Sequence, residues 1–223
     1  IPHMQLGGQL TINANQCNIE IVRANKIVAR FIIINGERIR LSESGLFATH
    51  GITLSAVNGF TGLNDGAYIR TVQGDIQLIS MGNQIDLSYV EILAMLSGNI
   101  VLRAKDGVRT IAGRLQTVNG DVIVQSPNFL MGLIYQQLQS ESRGHNLTRT
   151  GGVKVTSRAA ELVARRLLLS GFNPGQRCVA RLIGSMCYLQ ELPINREAIQ
   201  TQSITDHENF NHTWTYDVEV GRS

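Results

Sequence analysis

Apolar and polar positions alternate along most of this chain, and between Asn58 and Gly113 turn residues cut the alternation at a spacing of eight. Gly66, Gly74, Gly82 and Gly98 stand in one phase, with Asn58-Gly59 and Asp106-Gly107 at the two ends. As blocks the segment runs GAYIRTVQ, GDIQLISM, GNQIDLSY, VEILAMLS, GNIVLRAK and DGVRTIAG, and only the block beginning at Val90 breaks the glycine column. The first two positions are turn chemistry, because glycine supplies positive φ and Asn or Asp tolerates it. The next positions carry strand formers such as Ile76, Leu78, Ile85, Leu87, Ile100, Leu102 and Ile111. A short strand plus a tight corner, repeated, predicts a β-solenoid whose units bury their apolar faces only against neighbours.

The wound segment is read as 34–128, with HGITLSAV from His50 holding the phase upstream and GRLQTVN and GDVIVQSP continuing as strands downstream. Residues 1–4, Ile-Pro-His-Met, read as a cloning remnant, and 5–33 as an N-terminal β segment built from QLTINA, NIEIVRA and KIVARFIII. After Pro127, the residues Phe129, Leu130, Leu133, Ile134 and Leu138 fall at helical spacing with Asn128 as the cap, which predicts a helix over 129–141. The polar stretch to 150 reads as a linker. From 151 to 223 the chain reads as mostly β, since GVKVTSRA and AELVARRL again fall on eight residues, with helix as the alternative for its middle. Asn173-Pro174-Gly175 is a turn, and WTYDVEV alternates as a strand.

Eight residues supply one strand and one corner, whereas a single-chain β-helix needs about 18 or more residues per turn to enclose a core. Three chains giving one side each would complete a layer. The expected architecture is therefore mainly β, a solenoid wound as an intertwined homotrimer with one short helix near 129–141. Intertwining would remove open sheet edges and make folding inseparable from assembly.

Composition narrows the function classes. The net charge of +3 comes from dispersed Lys and Arg, with one local concentration at Arg158, Arg165, Arg166, Arg177 and Arg181, which argues against a dedicated nucleic-acid surface. That cluster is read as a charged face suited to intersubunit pairing. Aromatics make up 5%, with Trp214 the sole tryptophan, so stacking platforms for sugars or single strands are poorly supplied. Cys17, Cys178 and Cys187 form no CxxC and read as free thiols, with a Cys178–Cys187 pairing as the alternative. Neither a signal peptide nor an apolar run of membrane-spanning length is found.

Candidate chemistry is sparse. Asp75, Asp86, Glu91, Asp106 and Asp121 lie on the winding, where glycan-cleaving solenoids carry paired carboxylates, but their places near block starts read as solvated corners. His145, His207 and His212 are scattered, with no HxH or HExxH, and the glycines form neither a P-loop nor a dinucleotide fingerprint. No catalytic, cofactor-binding or metal residue is nominated, and no enzyme activity is expected.

The blocks resemble the octad β-helix of contractile-phage central spikes and the needle portion of VgrG-type spike proteins. The matching positions are Gly66, Gly74, Gly82, Gly98 and Gly107 with the Val, Ile and Leu between them; the family's valine two residues before the corner glycine is met at Val72 but not at Ser80, Ser88 or Leu96. The resemblance implies a rigid, trimeric, non-enzymatic spike, needle or fibre component of a phage tail or of a type VI secretion or other contractile injection apparatus. Its implied partners are further copies of itself, tail or baseplate proteins and a host surface glycan or envelope, with no cofactor and no nucleic acid. The implied location is the virion tail or injection apparatus, reached from the cytoplasm without a signal peptide. Two alternatives stand beside it: a tailspike-like glycan-binding or glycan-cleaving protein, and a polymerising β-solenoid scaffold with longer coils.

Overall fold

The computed structural model describes residues 3–63, 66–132, 134–136, 156–158, 160–183, 185–189 and 214–218. Every regular element among them is a β-strand. The chain opens with β1 (His3–Gln5), β2 (Gln9–Ala14), β3 (Ile19–Val22), β4 (Lys26–Gly36), β5 (Ile39–Ser42) and β6 (Gly45–Ala56). Next come β7 (Phe60–Leu63), β8 (Tyr68–Thr71), β9 (Ile76–Ser80), then β10 (Ile85–Asp86), β11 (Glu91–Ala94), β12 (Ile100–Ala104). A further coil is β13 (Val108–Ile111), β14 (Arg114–Thr117) and β15 (Asp121–Gln125), followed by β16 (Asn128–Gly132). The remaining strands are β17 (Ile134–Gln136), β18 (Thr156–Arg158), β19 (Glu161–Ala164), β20 (Arg166–Ser170), β21 (Cys178–Ile183), β22 (Met186–Leu189) and β23 (Trp214–Val218).

These strands wind into a β-solenoid with three sides. Side one stacks β3, β5, β7, β10, β13, β16 and β21 in parallel. Side two stacks the first half of β6, then β8, β11, β14, β19 and β22. Side three stacks β2, the second halves of β4 and β6, then β9, β12, β15 and β20. Partners in register lie 21 residues apart at Ile39 and Phe60 (60 − 39) and 25 apart at Phe60 and Ile85 (85 − 60). The offset is 23 at Tyr68 and Glu91 (91 − 68) and 24 at Ile52 and Ile76 (76 − 52).

The eight-residue beat is therefore one side of a coil, and the same chain supplies the other two. This corrects the premise that three chains are needed to close a layer. Three successive strands of one chain, not one block from each of three chains, make the circuit, which brings the chain back into register after 21 to 25 residues at the positions given.

Alternation along each strand aims one set of side chains into the core. On side three the inward column runs Ile52, Ile76, Ile100, Val122 and Leu167, with Leu54, Leu78, Leu102, Val124 and Leu169 beside it, all buried. Side two contributes Leu46, Ile69, Ile92, Leu115 and Leu162, and side one Ile39, Phe60, Ile85, Val108 and Phe129. Each such side chain contributes about 1.5–3 kcal/mol of apolar burial. Because like stacks on like, the contribution repeats with every coil.

The helix expected over 129–141 is not formed where the chain is described. Asn128–Gly132 is β16, in parallel register with Val108–Ile111 and with Val179–Ile183, and Ile134–Gln136 is β17. Phe129 and Met131 are buried while Leu130 points outward, so the apolar run serves a period of two. Pairing on both edges of β16 overrides the helical spacing; residues 137–141 lie outside the described residues. Strands β17 and β18 pair antiparallel in a two-stranded sheet of their own, which branches from the winding between sides one and two. After the branch the solenoid resumes at β19, which pairs in parallel with β14, and β23, the strand expected near the C-terminus, pairs antiparallel with β21.

Candidate functional site

Each coil turns three corners; Gly59 (121°) and Gly175 (80°) have positive φ at the corner between sides three and one, and the other two corners use left-handed backbone for different reasons. At the corner between sides one and two, one residue per coil has positive φ: Arg23 (52°), Glu43 (48°), Gly66 (99°), Tyr89 (64°) and Ala112 (52°). A Cβ added at Gly66 meets nothing within 4 Å. The corner is open at Gly66 and exposed at Arg23 and Glu43, whereas Ala112 is buried at the same place, so what its members share is the unusual φ.

The corner between sides two and three is closed. A Cβ at Gly74 would overlap the carbonyl oxygen of His50, one at Gly98 that of Gly74, and one at Gly120 that of Gly98. Gly74 and Gly98 also have positive φ, at 90° and 121°. Here both the φ and the missing Cβ are needed, because consecutive coils approach through their backbones. The break in the beat at Val90 has its own cause. Val90 is fully buried and its Cγ2 occupies the space where Gly62 lacks a side chain, while Tyr89 supplies the left-handed turn.

The corner carboxylates serve as acceptors within the chain. Asp86 accepts the backbone N–H of Ser88 at 3.0 Å and its hydroxyl at 2.6 Å, which closes a local turn. Glu91 accepts from Arg70 Nε at 2.7 Å. Asp75 accepts the backbone N–H of Asn99 at 2.7 Å, and Asn99 accepts that of Asp121 at 2.9 Å, so a polar ladder climbs the second corner beside its glycines. Asp106 is exposed, and its backbone carbonyl accepts from Asn128 Nδ2 at 3.1 Å.

The ladder ends on the most enclosed ionic group described. Arg165 reaches Asp121 with Nε at 3.1 Å and Nη2 at 3.2 Å, and Arg166 with Nε at 3.2 Å and Nη2 at 2.6 Å. The Asp121 side chain is 7% exposed. Burial alone would raise its pKa, but hydrogen bonds and charge from Arg166 and Arg165 outweigh that and hold it below the ordinary carboxylate range.

The arginine concentration is thus divided. Arg165 and Arg166 converge on Asp121, whereas Arg177 and Arg181 are exposed on and beside β21. Arg158 belongs to β18, and its side chain lies outside the described residues, as do His145, His207 and His212. Cys17 is exposed, Cys178 and Cys187 are buried, and all three are free. Burial pushes the Cys178 and Cys187 thiols up to about 12. Among the described residues no group of three His, Cys, Asp or Glu side chains could hold a metal ion.

Asn99 and the role of Asp121 were not legible from spacing eight, because the residues that meet are about three blocks apart. The signal that could have found them is a period near 24 in the Gly-Asp and Gly-Asn pairs at 74, 98 and 120. No protein family, curated protein or solved structure matches this chain, so the reading of its function rests on this geometry.

Proposed function

We propose that the chain is a non-enzymatic structural rod that spaces, supports or stiffens a larger assembly. The observation that carries this reading is the parallel pairing of side one through seven strands from β3 to β21, with the coils of the described residues closed inside one chain. Layered sheets of this kind resist bending along the axis. The corner carboxylates support the same reading, since Asp75, Asp86, Glu91 and Asp121 are acceptors for donors of this chain. A homotrimer on this reading is three complete rods side by side rather than one rod wound from three chains.

Placement in a phage tail or contractile injection apparatus rests on the octad spacing alone. Gradient fractionation of source-cell particles tests it: an affinity-tagged chain that bands with tail or injection particles supports the placement, and one found solely as free protein overturns it. Release of oligosaccharide from a surface polysaccharide by the purified chain would overturn the non-enzymatic reading itself.

One observation favours a second reading, that of a polymerising scaffold. Its expected mark is a coil longer than eight residues within one chain, and the offsets of 21 and 25 residues meet that mark. Light scattering separates the two: discrete particles of one mass favour the rod, and open-ended growth with concentration favours the scaffold.

A further inference from the structure

We propose that Asp121, Arg165 and Arg166 form a clasp that docks the coil following the branch onto the uninterrupted solenoid, and that β19 and β20 open as a unit when the clasp is broken. The covalent connection changes at this point. Residues 43–44 alone join β5 to β6 and residues 112–113 alone join β13 to β14, whereas residues 133–160 stand between β16 and β19. A longer connection costs more chain entropy to close, so the returning coil is held less by covalent adjacency than the coils before it.

The second-corner column changes at the same coil. Gly74-Asp75, Gly98-Asn99 and Gly120-Asp121 are followed in register by Arg165-Arg166, with Asp121 opposite Arg166. In the lower coils one amide or carboxylate oxygen accepts one backbone N–H from the coil above, at 2.7 and 2.9 Å. Above Asp121 two guanidiniums each place two donors on the enclosed carboxylate. Bidentate charged pairs of this kind are stronger than neutral hydrogen bonds and fix the geometry of the groups they join. In a stacked-repeat fold each coil is stabilised by its neighbours, so weakening one junction frees the coils beyond it before the rest.

Hydrogen exchange at neutral pH on the whole chain, wild type against Asp121→Asn, tests the clasp. The amides of Glu161–Ala164 and Arg166–Ser170 are expected to exchange on the order of tenfold to a hundredfold faster, while those of β5 to β12 stay within about twofold. Arg166→Gln is expected to give the same pattern more weakly and serves where Asp121→Asn fails to fold. An increase spread evenly over all coils, or none, would overturn the proposal. So would an equal local increase from Glu161→Gln, which removes only the more exposed ion pair to Arg114 on the same coil.

Discussion

The carbonyl oxygen of Gly74 lies where a Cβ on Gly98 would have to go, and the same relation joins Gly98 to Gly120 one coil later. Successive coils at this corner are in backbone-to-backbone approach, so glycine is required by space at all three positions and by φ as well at Gly74 and Gly98.

Gly98→Ala should therefore cost far more than Gly66→Ala. The first adds a methyl against backbone that has no side chain to move, and about 3 kcal/mol or more is expected. The second meets open space and pays mainly for a strained φ, about 1 kcal/mol. Urea midpoints of the two variants check the contrast; equal losses would mean that φ alone sets the corner.

Restoring the glycine beat at its one lapse should harm the protein. Val90→Gly empties a fully buried position above Gly62 and loosens the backbone, so a loss of about 3 kcal/mol is expected. Conversely, Gly62→Ala overlaps Val90 Cγ2, and adding Val90→Ala to it should recover part of the stability. Additive losses in that pair would contradict the packing described.

Stability should fall on the acid side through Asp121. Its folded pKa is depressed, so its contribution is present above the ordinary carboxylate value of 3.8 and is lost as pH falls below that value through the folded pKa. Denaturation midpoints followed from neutral pH to below pH 3.8 should drop less steeply in Asp121→Asn than in wild type. Parallel curves would mean that other carboxylates carry the acid limb.

Thiol reactivity should be split. In the native protein at about pH 8, Cys17 is expected to react readily with a disulfide reagent, while burial and thiol pKa values raised to about 12 protect Cys178 and Cys187. One fast thiol in buffer and three in denaturant is the expected count. Three fast thiols in buffer would mean that the coils carrying Cys178 and Cys187 are open.

The winding was legible in the sequence because glycine and Asn or Asp recur wherever the backbone must turn tightly, and because Ile, Leu and Val alternate between those turns. What spacing eight could not show is which corner each glycine serves. Gly66, Gly74 and Gly82 look alike in sequence, yet they stand at three different corners, and only Gly74 belongs to the stacked column of Gly98 and Gly120. The first corner escaped notice because Arg23, Glu43, Tyr89 and Ala112 hold a left-handed conformation that their residue types do not advertise. Phe129 and Leu130 suit a helix by spacing, and only the strands on either side of them, β13 and β21, decide for β. The clasp was hidden for a related reason. Asp121 and Arg165 are 44 residues apart, across the branch, and no local pattern links them.

A cross-link across one rung tests most directly whether one chain closes each coil. Gln77 and Val101 face outward in register on neighbouring strands of side three, within the separation a disulfide can span. Gln77→Cys with Val101→Cys, in a Cys17→Ser background, should oxidise within one chain in dilute native solution and then run at the monomer mass of 24.5 kDa on a denaturing, non-reducing gel. Covalent dimers and trimers as the main products, persisting on dilution, would show neighbouring strands to come from different chains and would contradict the single-chain solenoid.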